Sequence, residues 1–190
     1  MNDKIRIGIA LTGSFCTYTK VLDEIEKISK KAELVPIFSE NGANTDTRFG
    51  AAKEFLEKMR KITGKKPITT IAEAEPIGPK KLLDALVIAP CTGNTAAKLA
   101  GGIADTAVTL AAKSQLRNKR PVIIAISTND GLGANAVNIG KLLARKNVFF
   151  VPFRQDDCIE KENSLVAEFS LIFPTVEAAI LNRQIQPILI

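Results

Sequence analysis

A short polar segment that follows an apolar run is the part of this sequence best suited to chemistry. The run at residues 86–89 ends at Pro90, and the chain then reads Thr92-Gly93-Asn94-Thr95 before a stretch of small, helix-forming residues. A strand that enters a helix through such residues presents backbone N–H groups and the positive end of the helix dipole to an anion. The small side chains also leave room for a flat ring. The same residues would equally form an ordinary turn with a helix cap.

Two other loops carry residues of the same kind. Gly13, Ser14 and Phe15 follow the first predicted strand, and Ser39 ends the second. Gly13 lets the backbone approach a ligand closely, and the Ser14 hydroxyl with successive N–H groups can hold a phosphate. Ligands of open parallel sheets bind beyond the carboxyl ends of the strands, where these loops would meet. The complete Gly-x-Gly-x-x-Gly fingerprint is missing, and Ser39 would also serve as a strand-end cap.

Predicted strands and helices alternate along the chain. Strands are predicted at residues 4–11, 34–38, 68–71, 86–89, 122–126 and 148–151, with amphipathic helices between them. This alternation of strands and helices predicts a three-layer, Rossmann-like, doubly wound α/β fold with a mainly parallel sheet, in a single domain over residues 1–190. One long helix is predicted from about residue 95 to 116. Residues 163–173 could form a helix or a strand, although their apolar spacing favours a helix. The segment 158–190 is expected to pack on this domain or on a neighbouring subunit.

The composition limits the classes of function. The chain has 190 residues, a net charge of +6, three cysteines and no histidine. Catalysis by Ser-His-Asp or Cys-His groups is therefore excluded, and the widely spaced cysteines predict no metal site. No apolar run approaches the roughly 20 residues that span a bilayer, and the lysines form no nucleic-acid motif. We therefore expect a cytoplasmic protein that binds neither nucleic acid nor membrane.

The segment after residue 89 resembles the Pro-Ala-Ser-Ala-Asn-Thr motif of a flavoprotein family, which includes the homo-oligomeric flavin-containing cysteine decarboxylases. Pro90, Thr92, Asn94 and Thr95 align with this motif, and the resemblance covers most of residues 4–153. It implies that the segment, Gly93 included, borders the ring of flavin mononucleotide (FMN). It also implies a homo-oligomer, either a trimer or a multiple of one.

According to the same resemblance, Gly13, Ser14 and Ser39 hold the phosphate of FMN. The loop after the strand at 122–126 falls where the family carries a Pro-x-Met-Asn motif that contacts substrate and flavin, and here only Asn129 matches it. Ser127 lies in the same loop, so flavin contact is expected there, whereas substrate recognition of the decarboxylase kind is not implied. The decarboxylases also use a histidine near the flavin, which this chain lacks.

Segments 44–50, 74–80, 127–133 and 150–156 resemble members of the family other than the decarboxylases. They imply an oxidoreductase subunit that oxidises a dihydrodipicolinate-type dicarboxylate together with a second subunit, which would bind NAD(P). Arg48 is the candidate ligand of the dicarboxylate, because a guanidinium pairs with a carboxylate through two hydrogen bonds, unless it only caps its own helix region. No residue is assigned to proton transfer. The alternatives are a non-catalytic assembly or regulatory subunit with a vestigial flavin pocket, and an FMN-dependent decarboxylase-like lyase.

Overall fold

The computed structural model describes residues 4–190, so the part of the domain prediction that concerns residues 1–3 lies outside it. Within the described residues one sheet has seven strands. They are β1 (Arg6–Leu11), β2 (Glu33–Phe38), β3 (Ala85–Cys91), β4 (Val122–Thr128), β5 (Val148–Phe150), β6 (Phe153–Asp157) and β7 (Lys161–Ala167). The helices are α1 (Tyr18–Ser29), α2 (Glu40–Asn44), α3 (Ala52–Thr63), α4 (Ile71–Ala74), α5 (Gly93–Ala100), α6 (Ala107–Arg117), α7 (Ala136–Leu143) and α8 (Ile172–Ile180).

The order of the strands creates a crevice between β1 and β3. Across the sheet the order is β2-β1-β3-β4, all parallel, and β5 continues it beside the first half of β4. The last two residues of β4 pair with β7 instead, in antiparallel fashion, and β7 forms a hairpin with β6. From β1 the chain moves to one side for β2 and then to the other for β3. Doubly wound sheets bind their ligands at such a reversal, outside the carboxyl ends of the strands.

Burial of the central strands explains why the sequence forms this sheet. All seven residues of β3 are buried, and in β4 only the final Thr128 is partly exposed. Strands that are covered on both faces read as continuous apolar runs, because neither face meets water. Helices such as α1, which buries Val21, Leu22 and Ile25, supply that cover. The predicted α/β fold with a mainly parallel sheet is confirmed.

The prediction of one long helix over residues 95–116 is wrong. The structure divides this segment into α5 and α6. Gly102 adopts a φ of 72°, in the left-handed region that favours glycine, so the first helix ends there. A capping box then starts α6: the Thr106 hydroxyl accepts the N–H of Thr109 (3.2 Å), and the Thr109 hydroxyl accepts the N–H of Thr106 (3.0 Å).

The helix predicted for residues 163–173 is also wrong, because residues 163–167 belong to β7. Val166 pairs with Ser127 and Leu165 with Thr128, and the Ser164 hydroxyl donates to the carbonyl oxygen of Thr128 (3.2 Å). The apolar spacing of the segment suits a helix, but pairing with the free end of β4 decides its conformation. Helix α8 begins only at Ile172.

The end of the chain lies along β6. The Phe153 N–H donates to the carbonyl oxygen of Ile188 (3.0 Å), and the Ile190 N–H donates to that of Phe153 (3.2 Å). Leu181 and Leu189 remain 62% and 66% exposed. The last residues of the chain therefore pair with the start of β6, while Leu181 and Leu189 stay exposed.

The strand predicted for residues 68–71 is reduced to a single bridge, between Ile37 and Ile68. A capping box ends it: the Thr70 hydroxyl accepts the N–H of Glu73, and the Glu73 carboxylate accepts the N–H of Thr70 (3.3 Å), which starts α4. Glu73 also pairs with Lys66 (2.8 Å) and accepts the N–H of Thr69 (3.0 Å). The Lys66 hydrogen bond, followed by that of Thr69, lowers the pKa of Glu73 to about 2.

We expect the substitution Glu73→Ala to reduce stability in a pH-dependent way. A carboxylate whose pKa is lowered in the folded state stabilises the protein above its ordinary pKa, and this contribution is lost as the pH falls through the lowered value. At pH 7 the loss should be about 1 kcal/mol, the value of one cap at a partly exposed site. Thermal unfolding between pH 7 and pH 2 checks this: the difference from the parent should shrink below about pH 4.5. A constant difference, or an equal loss in the exposed control Glu57→Ala, would contradict it.

Candidate functional site

Two adjoining cavities lie at the carboxyl end of the sheet, by the crevice between β1 and β3. The first, which we call the β4 cavity, has a volume of about 300 Å³ and is lined by Gly13, Ser14, Phe15, Cys16, Thr47, Phe49, Thr92, Ser127, Thr128 and Asn129. The second, the β2 cavity, has about 190 Å³ and is lined by Gly13, Ser39, Glu40, Asn41, Thr92, Asn94, Thr95, Lys98 and Thr106. Gly13 and Thr92 border both, so the cavities form one groove. Most of the site residues expected from the sequence therefore lie together.

Thr12 fixes the two central strands at the floor of this groove. Its side chain is 1% exposed, and its hydroxyl donates to the carbonyl oxygen of Pro90 (2.7 Å) and accepts the N–H of Thr92 (3.0 Å). The end of β1 is thus tied to the end of β3 just where the cavities meet. Pro90 takes part through its carbonyl group and lines neither cavity. Sequence reasoning missed Thr12, although a hydroxyl that ends an apolar strand was a visible signal.

Thr92 caps α5 and leaves two backbone donors available. Its hydroxyl accepts the N–H of Thr95 (3.2 Å) and also contacts the Thr95 hydroxyl (3.0 Å). The N–H groups of Gly93 and Asn94 in the first turn have no partner within the helix, as in any α-helix. Asn94 is exposed, and its side chain makes no hydrogen bond to any other described residue. An anion or the polar edge of a ring would therefore find donors at this end of α5.

Only part of the first loop can donate to an anion. The Ser14 N–H is already bonded to the carbonyl oxygen of Thr12 (2.8 Å), so the expected run of successive free N–H groups is interrupted. Among the described residues, no acceptor lies within hydrogen-bonding distance of the N–H groups of Gly13 and Phe15. The Ser14 hydroxyl instead bonds to that of Ser127 (2.8 Å), which links the loop after β1 to the end of β4 across the β4 cavity.

Gly13 leaves the space that a ligand would take. A Cβ built on it would lie 3.7 Å from the Phe15 ring and 3.8 Å from the Cβ of Asn41, which are ordinary contacts. The fold itself therefore does not require glycine here. Because Gly13 borders both cavities, any side chain at this position would project into the groove.

Ser39 keeps its hydroxyl proton for a ligand. As the N-cap of α2, its oxygen accepts the N–H of Gly42 (3.2 Å), while its own N–H donates to the carbonyl oxygen of Leu11 (2.9 Å). The hydroxyl hydrogen has no acceptor among the described residues. Ser39 thus acts as the expected strand-end cap and still offers one donor to the β2 cavity.

Lys98 brings the only positive charge among the residues that line the β2 cavity within the described chain. Its side chain is 26% exposed, and its ammonium group pairs with both carboxylate oxygens of Asp105 (2.8 and 3.0 Å). This hydrogen bond holds the pKa of the Asp105 carboxyl below its usual range. Sequence reasoning did not select Lys98 as a site residue. The signal was its position four residues after Asn94, on the same face of α5.

Gly93 packs beneath a polar cluster in the loop after β4. Asp130 accepts hydrogen bonds from Thr128 and from the side-chain amide of Asn135 (2.7 Å). A Cβ on Gly93 would lie 2.6 Å from the Thr128 hydroxyl and 2.7 Å from the Asp130 carboxylate, and it would also collide with Asn135. Gly93 therefore has a packing role, and it lets the start of α5 lie close to Thr128 and Asn129 in the β4 cavity.

Arg48 does not line the β4 cavity, although its chain neighbours Thr47 and Phe49 do. Its side chain is exposed, with the guanidinium 4.9 Å from the centre of the Phe49 ring, which does line the cavity. The cavity itself has no charged residue in its lining. Arg48 is the one cation of the loop at residues 45–51, between α2 and α3.

The three cysteines have different environments. Cys16 is exposed and lines the β4 cavity, and Cys158 is exposed on the turn between β6 and β7. Cys91 is buried in β3, and burial raises the pKa of its thiol to about 12. Within residues 4–190, no group of three or more acidic, cysteine or histidine side chains could hold a metal ion, and no helix is long and apolar enough to cross a membrane.

The crevice between β1 and β3, with open N–H groups at its rim, defines a doubly wound α/β protein with a groove at the carboxyl edge of its sheet. The chain belongs to the flavoprotein family, whose sequence model matches residues 1–180. The family assignment made from the motif around Pro90 is therefore confirmed.

Individual relatives agree with this assignment. The chain is 48% identical over 186 residues to the B subunit of dipicolinate synthase from Bacillus subtilis (strain 168), and the match covers 97% of this chain and 93% of the relative. The crystal structure of the Bacillus halodurans dipicolinate synthase B subunit is 44% identical and superposes with a TM-score of 0.91, covering 100% and 98% of the two chains. The FMN binding protein AtHal3 shares the fold, with 22% identity, a TM-score of 0.66 and coverage of 92% and 95%.

Proposed function

We propose that this chain is the flavin-binding subunit of a dipicolinate synthase and takes part in oxidising a dihydrodipicolinate-type precursor to dipicolinate during sporulation. The observation that carries the proposal is the groove of two cavities that meet at Gly13 and Thr92. Similarity to the B subunits of two dipicolinate synthases supports the choice of reaction. The alternative of a decarboxylase-like lyase is disfavoured, because the chain contains no histidine.

The residues that line the groove support FMN as its ligand. The β2 cavity suits the phosphate, because it offers the Gly13 N–H, the Ser39 hydroxyl and the Lys98 ammonium group. The β4 cavity suits the ring system, since Phe15 and Phe49 supply apolar walls. Donors and acceptors for the polar edge of the ring come from a separate set of lining residues: Thr92, Asn94, Ser127 and Asn129. The open space over Gly13, which a Cβ would fill, joins the two parts.

The protein's own contribution to the oxidation is to position the flavin and to bind the substrate. When bound, FMN would supply the acceptor for the hydride that leaves the ring being aromatised, and the proton that is lost with the hydride would pass to solvent. No Asp, Glu, Lys or Arg lines the β4 cavity, so the described residues there offer hydrogen bonds without adding charge. Arg48, which stands between the lining residues Thr47 and Phe49, would hold one carboxylate of the substrate through paired hydrogen bonds.

A second polypeptide completes the proposed enzyme. The relatives carry the name of a B subunit, which implies a partner, and we assign NAD(P) binding to that partner, the A subunit of dipicolinate synthase. The complex would work in the cytoplasm of the mother cell of a spore-forming bacterium. We further propose that the chain forms a homo-oligomer, a trimer or a multiple of one. The exposed apolar residues Ile103, Val137 and Leu143 support this part of the proposal.

An anaerobic mixing experiment tests the proposed reaction. The chain is loaded with FMN, combined with the NAD(P)-binding partner and supplied with the dihydrodipicolinate precursor, and the visible flavin band is followed together with dipicolinate. We expect the band to bleach as dipicolinate forms, and to recover when air is admitted. Dipicolinate formation at the same rate without any FMN would instead support the alternative of an assembly subunit with a vestigial pocket.

Alkylation of the cysteines offers an independent check on where FMN binds. Cys16 lines the β4 cavity, so we expect FMN to slow its reaction with iodoacetamide at least severalfold, while Cys158 reacts at an unchanged rate. Cys91 should stay unmodified in the folded protein, because it is buried and its raised pKa keeps the thiol protonated. Mass spectrometry after timed labelling measures all three. Equal labelling of Cys16 with and without bound FMN would place the ring elsewhere.

A further inference from the structure

The groove continues beyond the β2 cavity. A third cavity of about 300 Å³, which we call the outer cavity, shares Glu40 and Thr106 with it. Asn44, Thr70, Ile71 and Asp105 also line this cavity, which lies between α2, the start of α4 and the start of α6. The three cavities follow one another along the carboxyl edge of the sheet. The space available is therefore longer than the groove that we assigned to FMN.

The charged side chains that line the groove change from positive in the β2 cavity to negative in the outer cavity. Lys98 lines the β2 cavity, and its partner Asp105 lines the outer cavity, so their ion pair joins the two. Glu40 borders both cavities and is exposed. It follows β2 by two positions, after Ser39, the N-cap of α2. No side chain in the described part of the chain bonds to the Glu40 carboxylate. The Lys98 ammonium group, at the proposed phosphate position, is thus followed by the carboxylates of Asp105 and Glu40. The Glu40 carboxylate is available to bind a ligand.

We propose that the outer cavity takes the ADP half of a dinucleotide, with Glu40 accepting hydrogen bonds from its ribose. The inference rests on the proposed function, because it places the first phosphate in the β2 cavity. A carboxylate that follows β2 of a doubly wound sheet is well placed to bind ribose hydroxyls, and Lys98 suits a diphosphate. Ile71, which is 47% exposed, supplies an apolar contact for the base.

Calorimetric titration with ADP-ribose, FMN, FAD and NAD⁺ tests the inference. We expect ADP-ribose to bind the parent chain, and Glu40→Gln to weaken it about tenfold or more, because hydrogen bonds to a charged acceptor are lost. Ile71→Ser should weaken the binding of ADP-ribose as well. FMN should bind Glu40→Gln at least as well as it binds the parent, since the substitution removes a negative charge near a phosphate. Glu26→Gln, an exposed change on α1 away from the groove, should alter none of these values.

The two dinucleotides identify the source of the ADP half. If FAD binds more tightly than FMN, and this advantage is lost in Glu40→Gln, the ligand is a flavin dinucleotide. If NAD⁺ competes with FMN, and its binding depends on Glu40, the ligand is a nicotinamide dinucleotide. The inference is overturned if ADP-ribose does not bind, or if Glu40→Gln binds it as well as the parent does. Failure of FMN itself to bind the parent would instead contradict the proposed function.

Discussion

Replacing Gly13 by valine should weaken FMN binding at least about a hundredfold, or roughly 2.8 kcal/mol. Gly13 borders both cavities, and its N–H has no acceptor among the described residues, so a branched side chain there would fill the groove and cover the donor. The fold should survive, because the nearest atoms to an added Cβ lie at 3.7 and 3.8 Å. Quenching of flavin fluorescence during titration measures the affinity, and circular dichroism confirms the fold.

Gly140→Val is the matched control for this change. Gly140 lies in α7 with nothing within 4 Å of an added Cβ, and it lines neither the β4 nor the β2 cavity. The control should bind FMN like the parent. If Gly13→Val also binds FMN like the parent, the loop after β1 is only a turn and the assignment of the groove fails.

Replacing Gly93 by alanine should reduce both stability and FMN binding. The added Cβ would lie 2.6 Å from the Thr128 hydroxyl and 2.7 Å from the Asp130 carboxylate, so the loop after β4 must move away from α5. Forcing a methyl group into a packed site costs about 1–3 kcal/mol, which lowers the Tm by several degrees for a chain of this size. The displaced Thr128 and Asn129 would also widen the β4 cavity. Thermal unfolding and FMN titration measure the two effects.

Gly133→Ala provides the comparison within the same loop. An added Cβ at Gly133 would meet the carbonyl oxygen of Asp130 at 3.6 Å and Asn163 at 3.9 Å, which are ordinary contacts. We expect its Tm and its FMN affinity to stay close to those of the parent. A Gly93→Ala variant as stable as Gly133→Ala would show that the polar cluster does not hold the loop against α5.

The central part of the fold could be predicted because it depends on local pattern. The strands that became β1, β3 and β4 are apolar on both faces, and such runs have few alternatives inside a compact domain. The errors fall where distant partners decide the structure. Residues 163–173 have helical spacing, yet Val166 and Leu165 pair with the end of β4 and extend the chain. The break between α5 and α6 rests on Gly102 and Thr106, whose local signals were weaker than the surrounding run of helix-forming residues.

In the candidate site, too, the features set by local pattern could be predicted, whereas those set by distant contacts could not. Gly13, Ser39 and Thr92 follow strands whose carboxyl ends must meet at one edge, so their proximity could be predicted from topology alone. Lys98 could not, because its place in the β2 cavity depends on how α5 leaves β3. The sequence predicted that the Ser14 hydroxyl and successive N–H groups of its loop hold a phosphate. The structure shows that the Ser14 N–H is bonded to Thr12 and that the Ser14 hydroxyl bonds to Ser127.

A crystal structure of the chain grown with FMN tests the central claim most directly. We predict that the phosphate lies in the β2 cavity, within hydrogen-bonding distance of the Gly13 N–H and the Ser39 hydroxyl. The ring should lie in the β4 cavity, against Phe15 and beside the start of α5. FMN bound at any other surface, or a groove that stays empty at saturating FMN, would contradict the account.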